Sequence, residues 1–362
     1  MSSIVFITHE DLDHTAVSRA MFSDVAKALS VNENRIIHII SGAVDARKSS
    51  SGYTYFRRRC PGKISFRDCL SFVSCALKAT ATLLRADIIV CRSYPSMAVF
   101  GLYASFFGKK VVFDTRGLFF DELASSGALR SNLYRRVFEY VEKRLLKGAS
   151  IIVCVTESQK EIYGQRHRLS EGHMEVIGNG SPLSPLHADK SGTKTLQLVY
   201  VGSLVTWHCP HLINEFCKEL QRLDFQFHLD VITRDTDSAA RIFDGSYQKD
   251  IFSHNFRKDP IRYDFAFCFI SEHLSKKVCY PVKFNEYCNS GTPILALDTV
   301  DVVNQIVKDN NFGMIIPASA SVQTMVDMFL ERVGDRYLVS LPVNATFDFQ
   351  VSEFSRVIGK LL

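Results

Sequence analysis

Short, β-branched apolar runs alternate along this chain with longer stretches whose apolar residues recur at helical spacing. In the first half, residues 3–8, 35–40, 87–91, 110–113, 151–155 and 174–177 predict strands, and 16–29, 66–84, 95–107 and 133–146 predict helices. A polar, turn-rich break follows at Gly178-Asn179-Gly180-Ser181-Pro182, and residues 181–195 are assigned to a linker. The alternation then restarts, with strands at 197–201, 227–233, 265–270 and 293–297 and helices at 210–223, 238–243, 281–289 and 302–309. Strands that alternate with helices in this way form parallel sheets covered on both faces. The expected fold is therefore α/β: two Rossmann-like doubly wound domains, 1–180 and 196–362, facing each other across a cleft. The last helix is left open to pack back on the first domain. Ligands of such sheets sit at the carboxyl ends of the strands.

Composition changes this picture little. A chain of 362 residues with 46% hydrophobic and 22% charged residues suits a packed protein of two domains. The net charge of +5 is too mild for a nucleic-acid binder and fits an anionic membrane surface or a phosphorylated substrate equally well. Ten cysteines are scattered without a CxxC pair, and several lie in apolar runs such as Ile151-Ile152-Val153-Cys154-Val155. They read as buried, reduced thiols. No HExxH motif or zinc-spaced cluster occurs, so no metal ligand and no cofactor is assigned. The N-terminal strand lacks a basic n-region, and the longest apolar stretch, 97–108, is far short of the roughly 20 residues that span a bilayer. A cytoplasmic protein is expected, with a peripheral seat on the inner membrane face left open.

The most informative segment is Tyr280-Pro281-Val282-Lys283-Phe284-Asn285-Glu286-Tyr287-Cys288-Asn289-Ser290-Gly291-Thr292-Pro293. Pro281 suits the first turn of a helix, Gly291 its end, and Pro293 bars its continuation. Lys283 and Glu286, three positions apart, share one face of the opening turns. A helix N-terminus with an added lysine is ready for phosphate, and a carboxylate one turn deeper can accept hydrogen bonds from vicinal hydroxyls. An ordinary surface Lys–Glu pair is the plainer alternative. Gly202 and Ser203 follow a strand where a backbone could approach a phosphate, and Arg234 follows the next strand. In the first half, Asp114 and Arg116 leave the end of another strand, with Glu122 close behind.

The 280–296 segment resembles the C-terminal signature of family 4 glycosyltransferases of GT-B architecture. The resemblance implies that Glu286 binds a nucleotide ribose and that Lys283 lies near the diphosphate. Leu198-Val199-Tyr200-Val201-Gly202-Ser203, Phe113-Asp114-Thr115-Arg116-Gly117 and Asn179-Gly180 resemble further segments of that family. Two departures stand out. The family often carries a second Glu eight positions before the ribose-binding one, where this chain has Val278. Where many members have an Arg and a Lys after the first strand of the second domain, this chain has Trp207, His208 and His211, and Arg234 is the candidate substitute.

The reaction these features imply is glycosyl transfer from a nucleotide-diphosphate sugar to a hydroxyl of a glycan or lipid-linked glycan. Asp114, Arg116 and Lys283 are the catalytic candidates; Gly202, Ser203, Arg234, Lys283 and Glu286 are the donor-binding ones. Family resemblance implies retention of configuration without a metal. An inverting course would need a base, for which Asp114, Asp13, His14 and Glu122 are candidates. Two other functions remain open: a sugar-nucleotide epimerase on the same fold, and a non-catalytic subunit that binds a nucleotide sugar or a glycan. Basic residues at 57–63 and along the 133–146 helix leave an anionic membrane open as a further partner. Solvated helix faces account for them equally well.

Overall fold

The computed structural model describes residues 2–12, 22–33, 36–43, 53–57, 66–125, 131–180, 195–253, 263–335, 337 and 346–362. The chain divides into two compact units, Met1–Gly180 with Phe347–Leu362, and Ser181–Thr346. The expected linker at 181–195 lies outside the described residues except for Thr195.

The first unit is built on a seven-stranded sheet in the order β3-β2-β1-β4-β5-β6-β7. Its strands are β1 (Ser3–Asp11), β2 (Ile36–Ala43), β3 (Tyr53–Arg57), β4 (Ile88–Arg92), β5 (Lys110–Asp114), β6 (Ile151–Cys154) and β7 (Met174–Val176). All neighbours are parallel. Strands β4 and β6 are buried at every position, which is why they read as unbroken apolar runs. The helices are α1 (Asp24–Glu33), α2 (Phe66–Lys78), α3 (Thr80–Arg85), α4 (Tyr94–Ser96), α5 (Leu102–Phe106), α6 (Phe119–Ser125), α7 (Asn132–Lys147) and α8 (Glu157–His167).

Two predicted helices each depart once from a regular α-helix. The 66–84 stretch divides at Ala79, where the Thr80 hydroxyl donates to the carbonyls of Leu77 (2.7 Å) and Ala76 (3.3 Å). Such back-bonding competes with the helix ladder and bends it. The 95–107 stretch contains a π-turn, Met97–Gly101, between α4 and α5. A Cβ on Gly101 would fall 2.2 Å from Met97 Sδ, so the glycine leaves room for that side chain.

The second unit carries a six-stranded parallel sheet in the order β10-β9-β8-β11-β12-β13. Its strands are β8 (Leu196–Val201), β9 (Phe227–Thr233), β10 (Lys249–Ser253), β11 (Phe265–Cys268), β12 (Ile294–Leu297) and β13 (Gly313–Ile316). The helices are α9 (Pro210–Arg222), α10 (Thr236–Ile242), α11 (Leu274–Lys277), α12 (Val282–Asn289), α13 (Asp301–Asp309) and α14 (Val322–Arg332). Phe216 of α9 meets Phe267, Phe269 and Phe329 edge-on in the core.

The last helix, α15 (Phe347–Gly359), belongs to the first unit. Phe354, Val357 and Ile358 join a core with Phe22, Val25 and Leu29. Gly180 N–H donates to Gln350 Oε1 at 2.9 Å, and Arg356 pairs with Glu175 at 3.0 Å.

In both sheets the winding direction reverses once, between β1 and β4 and between β8 and β11. At such a point two neighbouring strands send their following loops apart, leaving a crevice at their carboxyl ends.

Candidate functional site

In the second unit, β8 and β9 stay paired as far as Val201 and Ile232, and the Gly202 N–H continues the ladder to the Ile232 carbonyl at 3.0 Å. That N–H, expected to face a phosphate, is thus taken by the sheet. On the other side, pairing of β8 with β11 ends at Val199 and Ala266. The backbone of Val201, buried and unpaired by β11, is met instead by a side chain. Its N–H donates to the Tyr287 hydroxyl at 2.8 Å, and the hydroxyl reaches back to the Val201 carbonyl at 3.4 Å. Tyr287 is buried on α12, so one phenol fixes that helix to the point where β8 and β11 part. Pro281 caps this helix from outside, with ψ 125°, rather than forming its first turn.

Lys283 Nζ lies 2.5 Å from Glu286 Oε2, and the two side chains are 25% and 16% exposed. They occupy a partly enclosed position, neither core nor open surface. Replacing Tyr287 with phenylalanine is expected to leave the Val201 N–H unsatisfied, at a cost of about 1–3 kcal/mol. Calorimetry would show this as a lower unfolding midpoint.

The loop after β8 is drawn tight around Ser203. Its carbonyl accepts from the Tyr200 hydroxyl at 2.6 Å and from His208 Nδ1 at 2.8 Å. A Cβ on Gly202 would meet that tyrosine oxygen at 3.2 Å. Burial lowers the His208 pKa below its ordinary 6.5; the Ser203 carbonyl opposes this, while Lys276 and Lys283 add to it. At neutral pH the ring is therefore uncharged, with Nδ1–H on Ser203 and Nε2 left as an acceptor. Lys276 sits 4.3 Å over the Trp207 ring.

His208, Lys276 and Lys283 thus share one electrostatic neighbourhood. Lys276 and the role of Trp207 went unseen in the sequence because nothing local links the two residues. Arg234, just beyond β9, is exposed and makes no ion pair among the described residues. Val278 is fully buried and Glu272 is exposed.

The first unit gathers charge at the ends of β1, β4 and β5. Asp114 is fully buried, and neither of its oxygens has a hydrogen bond among the described residues. Instead Arg92 lies 3.6 Å from one and Arg116 3.7 Å from the other. Arg92 also approaches Glu10 at 3.4 Å, and His9 Nδ1 meets Ser93 Oγ at 2.6 Å. Burial and the neighbouring Arg92 pull the Arg116 pKa down to about 10, against the pull of Asp114 and Glu10, so the group stays cationic at neutral pH. Its guanidinium donates to Asn179 Oδ1. Ser93 and Arg116 both have positive φ, 70° and 63°, and Gly117 follows at 155°. Non-glycine residues in that region are strained, and such strain gathers at functional turns.

The 115–117 turn is clamped by α8. Gln159 donates to the Thr115 hydroxyl at 3.0 Å, and Tyr163 donates to the Gly117 carbonyl at 3.0 Å. Behind it the Tyr163 and Tyr94 hydroxyls are 2.5 Å apart, and Tyr94 donates to buried Glu142 at 2.7 Å. His167 completes the set at 2.9 Å from Glu142. Glu122 is exposed on α6. Asp13, His14 and residues 58–63 lie outside the described residues.

One further group, on β9 and β10, has the spacing of a metal site: His228 Nε2 is 3.1 Å from Asp230 and 3.2 Å from Asp250. Asp230 and Asp250 are cross-strand partners, so the histidine separates two carboxylates that would otherwise face each other.

Sucrose-phosphate synthase from Thermosynechococcus elongatus is similar over 100% of this chain and 99% of its own, with a TM-score of 0.74 at 12% identity. The fold is GT-B. The lipopolysaccharide outer core galactosyltransferase WaaB, in its apo form, matches the GT-B chain over 99% of its length and 100% of WaaB, with a TM-score of 0.71 and 14% identity. HepE from Anabaena, in complex with UDP and glucose, matches with a TM-score of 0.70 and 12% identity, over 99% of this chain and 100% of HepE. Residues 37–184 of the GT-B chain match the model of Glycosyltransferase Family 4. No curated protein matches the chain in sequence.

Proposed function

We propose that this protein is a glycosyltransferase that moves a sugar from a nucleoside diphosphate to a hydroxyl of a glycan or lipid-linked glycan. The observation that carries the reading is the Lys283–Glu286 pair, held by Tyr287 at the parting of β8 and β11. Lys283, with Lys276 and Arg234 as further cations, supplies positive charge for a diphosphate. Glu286 accepts from the ribose hydroxyls. The similar fold of HepE, whose complex holds UDP and glucose, supports a nucleotide-sugar donor.

Negative charge builds on the leaving diphosphate as the glycosidic bond breaks. Fixed cations aimed at that charge lower the barrier without help from a metal. The acceptor is placed on the first unit, with Arg116 and the strained turn after β5 as its recognition elements. Retention of configuration is proposed, the leaving phosphate taking the acceptor proton. The proposed setting is surface polysaccharide synthesis at the inner face of the membrane.

A second reading has one observation in its favour. Val278 is buried where relatives often carry a carboxylate, which suits a subunit that binds a nucleotide sugar without turning it over. Nucleotide binding without release of nucleoside diphosphate from any donor would favour it.

A thermal-shift panel of nucleotides and nucleotide sugars tests the main reading. A true donor at a hundredfold excess over its Kd stabilises the fold by about 2.7 kcal/mol. Glu286→Ala removes a charged hydrogen-bond acceptor and is expected to weaken binding about tenfold or more. A variant that responds like wild type would overturn the site assignment.

A further inference from the structure

Helix α7 has two apolar stripes where a helix covering a sheet needs one. Its inward side is made by Phe138, Val141, Leu145 and Leu146 around buried Glu142. The outward side should be polar. Instead Leu133, Val137 and Tyr140 recur there at i, i+4 and i+7, and they are 68%, 48% and 64% exposed. The same line continues into Arg144 and Lys147, with Arg136 and Lys143 exposed on its flank. Among the exposed residues of this helix the one acid, Glu139, lies about a third of a turn from the stripe.

The surface extends onto α5. Leu102 packs at the end of α7, so that a Cβ on Gly148 would fall 2.9 Å from its Cδ2. One turn beyond Leu102 on the same helix, Phe106 is 83% exposed. Apolar groups exposed in line on one helix face, with further ones exposed at its end, mark a contact surface.

Its charge selects the partner. Two copies meeting through this face would bring Arg136, Lys143, Arg144 and Lys147 of both into one contact with no acid on the stripe to pair them, because a two-fold contact uses the same patch twice. A partner must present anionic groups over an apolar layer. Lipid headgroups above acyl chains do so: Leu133, Val137 and Phe106 would enter the interface, Tyr140 would sit at headgroup depth, and the long cations would reach phosphates. We infer that the outward face of α7, continued by Phe106, docks on an anionic lipid surface. The inference deepens, and rests on, the proposal that the acceptor is carried by a lipid.

Flotation of the full chain tests it. Vesicles of phosphatidylcholine with about one-third phosphatidylglycerol are expected to carry the protein at low salt, and to release it at high salt. Phosphatidylcholine alone should carry little. Val137→Ser/Tyr140→Ser and Arg144→Glu/Lys147→Glu are each expected to reduce binding at least about tenfold. These positions are solvent-exposed, so the fold should survive; the nucleotide thermal shift checks this.

Failure of wild type to float with anionic vesicles overturns the inference, as does equal flotation of the variants or equal binding to neutral vesicles. A dimer in solution that Val137→Ser/Tyr140→Ser dissociates, without vesicle binding, would assign the face to a second copy instead. A wild-type chain that floats but shows no shift with any nucleotide sugar would sink the donor site and leave the lipid surface standing.

Discussion

Replacing Lys283 with alanine is expected to lower kcat by about two to three orders of magnitude, the usual cost of losing one fixed donor to charge that develops in a transition state. The physical basis is position. Lys283 stands on a helix that Tyr287 holds against the end of β8, and it is one quarter exposed, so its charge is incompletely screened. KM for the donor should change less than kcat, because the full negative charge appears only as the bond to the sugar breaks. Release of nucleoside diphosphate, followed as initial rates over a range of donor concentrations, measures both. Lys283→Arg should recover part of the loss, since it restores the charge with different geometry. A fall in kcat below about threefold for Lys283→Ala would show that the leaving group is stabilised elsewhere. Lys276 is then the next candidate, since it shares the electrostatic surroundings of His208.

Asp114→Ala is expected to destabilise the first unit by about 3 kcal/mol or more, the size of effect seen when one member of a buried ion pair is removed. Asp114 separates two guanidinium groups, Arg92 at 3.6 Å and Arg116 at 3.7 Å. Arg92 keeps Glu10 and Arg116 keeps Asn179, which places the expected cost at the lower end of such cases. Loss of the carboxylate leaves the two cations facing each other in a buried setting. Asp114→Asn should behave nearly as badly, because it preserves shape and removes only charge. Adding Arg92→Leu to Asp114→Ala should recover stability, since an apolar replacement ends the uncompensated burial. Calorimetry measures the effect as a lower unfolding midpoint. Midpoints unchanged by Asp114→Ala would mean that the arginines do not depend on it. Both oxygens of Asp114 face guanidinium groups, so we propose that it serves the reaction by holding Arg116 on its strained turn.

The elements that patterning found are those with one apolar face or an unbroken apolar run. Strand β9 is found at the predicted 227–233, and β5 and α7 lie within a residue of the predicted bounds at each end. Helix α8 was missed for a physical reason. Its inward positions are Gln159, Tyr163 and His167, polar groups whose burial is compensated by Thr115, Gly117 and Glu142. Apolar periodicity cannot register a helix that faces a hydrogen-bond network. Strand β10 was missed because it lies at the edge of its sheet and is largely exposed, with Lys249 and Asp250 in its sequence.

The candidate site divides the same way. Lys283, Glu286 and their capping residues are contiguous, so local chemistry declared them. His208, Trp207 and Lys276 are brought together only when β8 and α11 take their places, and no local signal could pair them. The reverse also holds: Gly202 is where the sequence put it, yet its N–H belongs to the sheet.

By itself the sequence determined the alternation of parallel strands and helices, the break near Gly180 and the segment that bears Lys283 and Glu286, because each of these is written in neighbouring residues. Tertiary structure alone decided that the last helix returns to the first unit, that Tyr287 closes the open edge of β8, and that Asp114 lies between two arginines. Those outcomes depend on burial and on pairings across long separations, where the free energy of removing a group from water is set by partners that the local sequence does not name.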